Sequence, residues 1–385
     1  MTGPAQPIGR PATAQKCLGI AAAIAIAGFV APSDPQAATT RPRPPVTAYV
    51  IGVSDMVTPV RVATGRALAG IRVAQAPLAI AVAPGGKTVY VASWVNISHP
   101  RGVVTPIGTT ARRAGRPIRV NAGPLGIAFT PDGRQAYVWC AASGTVTVVN
   151  VSSGRVIRVI RGWGTPAITP TGRTAYVISS LHTVTPVSTA TGKRGKPIRV
   201  ALGPILTALS PDGRTLFVVS DPDPGKHLRS VVTPVNVRTG TAGRPILVGI
   251  HPDALAVTPD GKTVYVVNTS SGTVTPITTA TGRPGRPIPV GQYPYAIAIT
   301  PDGKTAYVTS DGSAKVTPIN TATNTAGKPI KVGAGPQDIA ITPDGKAAYV
   351  TSFYTNTITP IRIATNTAGK PIRVAYEPEQ IVIAP

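Results

Sequence analysis

The chain has 385 residues and a formal net charge of +24, with apolar content ample for a buried core. Its two cysteines, Cys17 and Cys140, cannot form a cysteine metal cluster. Cys17 falls in the expected leader, which leaves Cys140 alone, so no intrachain disulfide is expected and stability must come from packing and hydrogen bonding.

Near the N-terminus, Arg10 and Lys16 precede the uncharged run CLGIAAAIAIAGFVA, Cys17 to Ala31, and then the small-residue stretch PSDPQAATT. A run of about 15 residues is short of the ~18 to 20 that a spanning helix needs. Residues 1–38 are therefore expected to be a secretory signal peptide cleaved near Ala37 or Ala38, with an uncleaved tether as the alternative. Residues 39–46 read as a short linker. The expected location is secreted or envelope-associated, with no transmembrane domain after cleavage.

From residue 47 onward the sequence repeats. The aromatic of an AYV element recurs at Tyr49, Tyr90, Tyr137, Tyr176, Phe217, Tyr265, Tyr307 and Tyr349, with a period of about 42 residues. Within a period, four short stretches rich in Val, Ile, Thr and Tyr alternate with turn chemistry, as in IAITP, TAYVTS, KVTPIN and KPIKV. Each reads as a strand. Pro-Asp-Gly between the first two predicts a tight antiparallel hairpin: proline presets one turn position, aspartate bonds its own backbone, and glycine accepts positive φ. No helical period follows the leader, and proline is scattered throughout.

A four-stranded unit of this size cannot cover both faces of its own sheet, whereas units stacked around an axis can. The expected fold is all-β: a β-propeller spanning residues 47–385 as a single domain. The chain opens mid-unit with TAYVIG, MVTPV and GIRV, runs through seven complete units and ends with the lone first strand EQIVIAP. This predicts eight blades, the two ends sharing one blade and leaving no open edge; seven blades would leave one unit outside the ring.

TPDGKTAYV with the following VTPI and GKPI elements resembles the YVTN family of β-propeller repeat proteins over essentially all of residues 47–385. The hairpin departs from the pattern at APGGK in blade 1 and TPTGR in blade 3. The resemblance implies an exported propeller, usually of seven blades, and more remotely resembles lactonase-type propellers. No catalytic motif of those enzymes can be carried over to residues of this chain.

Basic residues follow the Pro-Asp-Gly turns and punctuate the outer strand, where Lys-Pro-Ile or Arg-Pro-Ile deters edge pairing. The same charge attracts anionic polymers. Nucleic acid is disfavoured as a dedicated partner, because the basic positions are not interleaved with aromatics.

Antiparallel connectivity places the Pro-Asp-Gly turns on one face and the remaining connections on the other. The chemically varied residues fall on that second face. As a ligand-binding set they are Trp94, His99, Trp163, His182, His227, His251, Tyr293, Tyr295, Tyr354, Tyr376 and Glu377. Such aromatics and polar groups suit sugar rings or a peptide. Asp253, Asp338 and Glu379, near the starts of innermost strands, are candidate ligands for Ca²⁺ or another divalent metal. No Gly-x-Ser-x-Gly elbow, phosphate loop or His-Glu-x-x-His motif is present. The expected function is binding or interaction at the cell envelope or outside it, with an envelope glycan, protein or anionic polymer as partner and no catalysis. The alternative is a metal-assisted hydrolase or lyase of lactonase-like kind.

Overall fold

The structure, a computed structural model, describes residues 45–96, 101–222 and 228–385. The expected signal peptide lies outside the described residues, as do His99 and His227. The chain forms eight antiparallel sheets of four-stranded type. Their innermost strands are Pro77–Val82 in blade 1, Pro124–Phe129 in blade 2, Trp163–Ile168 in blade 3 and Pro204–Leu209 in blade 4. Pro252–Val257, Pro294–Ile299, Pro336–Ile341 and Pro378–Ala384 follow in blades 5 to 8. Consecutive inner strands touch, and the last touches the first, so the ring closes with eight blades rather than seven. Blade 8 is completed by the chain's beginning: Thr47 pairs with Ala384 and Val50 with Ile381. No helix among the described residues is long and apolar enough to cross a membrane.

The repeated words have separate structural jobs. In Thr-Pro-Asp-Gly, the Thr300 hydroxyl donates to Asp302 Oδ1 at 2.6 Å, and Oδ1 also accepts the Lys304 N–H at 3.1 Å. Gly303 takes φ +72°, which its missing Cβ permits. The aromatic of each repeat fills the wedge between its blade and the next. Tyr307 packs on Ala348 and Val350, and Tyr265 on Ala306 and Val308. Their hydroxyls donate across the same interfaces, to Asn366 Oδ1 and Asn324 Oδ1 respectively.

The outer strand differs from the simple fourth strand expected. In most blades it consists of two short pieces, such as Thr325–Ala326 and Ile330–Lys331 in blade 6. The cause is the proline of the Val-Thr-Pro element in the third strand, which has no N–H to offer outward. The chain skips that site, and a glycine N–H bonds the proline carbonyl instead, as Gly327 does to Pro318 at 2.7 Å.

The turn carboxylates give the fold an acid limit. Asp132, Asp212, Asp260, Asp302 and Asp344 are each held below the ordinary carboxylate range, first by the hydroxyl two residues before them. Because the folded-state values are depressed, this stabilisation is present above the ordinary pKa near 3.8 and is lost as the pH falls through the lower folded values. The urea midpoint should therefore drop steeply below about pH 4. Asp302→Asn should flatten that acid limb, measured by tryptophan fluorescence at fixed ionic strength.

Candidate functional site

The connections entering the innermost strands build the centre of the loop face. The residue before each inner strand adopts positive φ in every blade: Gly123, Gly162, Gly203 and Gly335 in four, but Ala76, His251, Tyr293 and Glu377 in the others. Glycine accepts this region without cost, whereas other residues seldom do. Three of the four non-glycine exceptions belong to the expected ligand-binding set, at φ 54° for His251, 49° for Tyr293 and 48° for Glu377.

One position into each inner strand, the ring divides into halves. Blades 1 to 4 place Leu78, Leu125, Gly164 and Ile205 there; blades 5 to 8 place Asp253, Tyr295, Gln337 and Glu379. On the apolar side Leu78, Leu125 and Trp139 pack together, with Trp94 and Trp163 against them. Trp139 was not singled out in the sequence reading, because it lies inside a strand. Aligning YVWC with YVTS shows it standing where Thr309 and Thr351 stand.

The polar side is acidic. Burial raises the Tyr295 phenol far above its ordinary value, and Asp253, Glu379, Asp338 and Asp311 reinforce the shift in that order. Those four carboxylates therefore share one electrostatic neighbourhood. His251 Nδ1 lies 3.5 Å from Asp253 Oδ2. Hydrogen bonding to Asp253 raises the His251 pKa, opposed by burial and assisted by Asp221. The imidazolium stabilises the fold below about pH 6.5, and that contribution is lost as the pH rises through the higher folded value. An NMR titration should place the His251 midpoint above 6.5, and Asp253→Asn should move it down; an unchanged midpoint would show that the pair does not form.

Asp338 is turned toward the neighbouring blade. Its Oδ1 accepts the Ile339 N–H at 2.8 Å and its Oδ2 accepts the Ile381 N–H at 3.0 Å. Burial pushes this carboxyl up to about 7, against the pull of both N–H groups. Gln380 makes the corresponding bridge from blade 8 to blade 1, accepting from Ile80 N–H and donating to the Leu78 carbonyl. The shared geometry assigns Asp338 an inter-blade tie. Among the described residues, no group of three or more His, Cys, Asp or Glu side chains is arranged to hold a metal ion.

His182 is exposed on the blade 3 hairpin, apart from the acidic group. Tyr293, Tyr354 and Tyr376 are 58 to 69 % exposed around blades 6 to 8. Glu377 is anchored through its backbone, whose N–H donates to Asn356 Oδ1 at 2.6 Å. Cys140 is buried, and its thiol is pushed up to about 11 by that burial, which argues against a nucleophile.

No protein-family model matches the sequence, and no curated protein matches it. Solved structures do match in fold. The dihydro-heme d1 dehydrogenase NirN, in complex with DHE, superposes with a TM-score of 0.72 at 18 % identity, over 91 % of this chain and 77 % of that one. AztD from Citrobacter koseri gives 0.64 at 14 % identity, over 88 % and 98 %. A putative 6-phosphogluconolactonase from Bacteroides uniformis gives 0.59 at 17 % identity, over 89 % and 100 %. These similarities establish the β-propeller architecture, and at such identities they carry no activity across.

Proposed function

We propose that this propeller is a binding protein of the cell envelope or extracellular space, of YVTN type, whose loop face docks a partner. One observation carries the reading. Of the exposed large apolar side chains among the described residues, Val95, Leu181, Leu202, Leu228, Tyr293, Tyr354 and Tyr376 lie on the loop face. The rest lie on outer strands, and the Pro-Asp-Gly face has none. Apolar groups kept in water on this face and not on the opposite one, beside His, Tyr and Glu residues at positive φ, support a recognition surface there. An envelope glycan or protein fits that combination of exposed tyrosines and polar neighbours. The basic outer strands add affinity for anionic polymers of the same surroundings.

The test is retention of residues 39–385 on immobilised envelope glycan and on envelope protein fractions. The triple variant Tyr293→Ala, Tyr354→Ala, Tyr376→Ala should lose at least about tenfold in affinity at an unchanged melting temperature. Binding that survives the triple variant, yet vanishes on raising the salt, would instead assign the contact to nonspecific charge.

A further inference from the structure

Blade 2 breaks the rule that the other seven blades follow at their outer edge. Its third strand, Thr145–Asn150, reads TVTVVN, with Val148 where every other blade has proline. Val148 has the N–H that proline lacks, so the outer strand pairs without interruption. Arg155–Arg161 is a continuous seven-residue strand, facing Val148 with Arg158 and Val146 with Ile160. The glycine and proline found in the outer strands of blades 1 and 3 to 7 are missing as well: Ile157 stands where Gly327 does, and Val159 where Pro329 does. As the last strand of its sheet, Arg155–Arg161 has one side of its backbone with no strand beside it. Val156, Ile157 and Val159 are 42 to 49 % exposed along it. A long, apolar, proline-free edge is what proteins ordinarily avoid, because it accepts another strand.

We propose that the outer strand of blade 2 is a docking edge that takes up an extended acidic segment of a partner protein as a fifth strand. Charge selects this occupant over a second copy. The three arginines of RVIRVIR are spaced symmetrically about Arg158, so the antiparallel self-pairing that uses all seven residues sets Arg155 opposite Arg161 and Arg158 opposite itself. Like charges directly opposite oppose pairing, whereas carboxylates at those places make cross-strand ion pairs. Arg194 adds a further guanidinium at one end, where it bonds the Arg161 carbonyl at 3.2 Å. The bulge between Arg158 and Val156 twists the strand without interrupting it.

The test uses a fluorescein-labelled peptide alternating Glu and Val, its Lys counterpart, and an acidic version N-methylated at alternate amides so that it cannot extend a sheet. The acidic peptide should bind and the other two should not. Ile157→Gly with Val159→Pro grafts into blade 2 the break that other blades already tolerate, and should weaken binding at least about tenfold. Should that variant fail to fold, Arg155→Glu with Arg161→Glu changes only exposed side chains and should switch the preference to the Lys peptide. The proposal is overturned by equal binding of the N-methylated peptide, by indifference to these substitutions, or by self-association through this edge in sedimentation experiments.

Discussion

Tyr307→Ala should lower the unfolding free energy by about 3–5 kcal/mol, the range for emptying a buried aromatic site. The ring is fully buried in the wedge between blades 6 and 7, against Ala348, Val350 and Ile339. Those neighbours belong to strands fixed by their own ladders, so the space cannot collapse at low cost. The phenol also donates to Asn366 Oδ1 at 2.5 Å, on a turn where Asn366 takes φ 54°. Tyr307→Phe separates the two contributions and should cost about 1 kcal/mol, the ordinary net worth of one hydrogen bond. Tyr354→Ala, at an exposed tyrosine on the loop face, should stay within about 0.5 kcal/mol of wild type. Urea unfolding of the three variants checks the ranking; a Tyr307→Ala cost as small as that of Tyr354→Ala would show that the wedges do not hold the ring together.

The same contrast explains what could be read from the residues. A repeated Tyr can be assigned to an interface because every copy meets the same surroundings, and the period of about 42 residues transmits that constraint into the sequence. The blade count and the shared closing blade followed for the same reason. Asp338 was less legible. It was expected beside Asp253 and Glu379 as a metal ligand because it lies near a strand start, but it is the third residue of its strand where they are the second of theirs, and its carboxylate bonds the Ile381 N–H. Trp139 and the unbroken edge at Arg155–Arg161 were present only as departures from the repeat. They become visible when each blade is compared with its siblings at a fixed position, not when motifs are sought one at a time. The halves of the channel mouth likewise depend on eight residues drawn from eight different blades.

Removing Pro378–Pro385 should abolish cooperative folding of the remainder. That segment is the innermost strand of blade 8, and it pairs with Thr47–Gly52 across the closure. Ile381 and Ala384 are buried, with Val382 and Ile383 packed against the flanking clusters. Burial of three branched side chains at about 1.5–3 kcal/mol each is comparable to the ~5–15 kcal/mol that separates a folded domain from its unfolded state. The deletion also strips one side of the Thr47–Gly52 strand and removes the acceptor that Gln380 presents to Ile80 N–H. Blades 7 and 1 would then lose their common neighbour, and the ring would have an edge where it now has none. Adding the strand back as a separate peptide supplies the control: it should restore the thermal transition in proportion to its concentration, as mass action requires. A truncated chain that melts cooperatively at the full-length temperature would mean that the ring is held by its wedges alone, with the shared blade a consequence of the fold and not a condition for it.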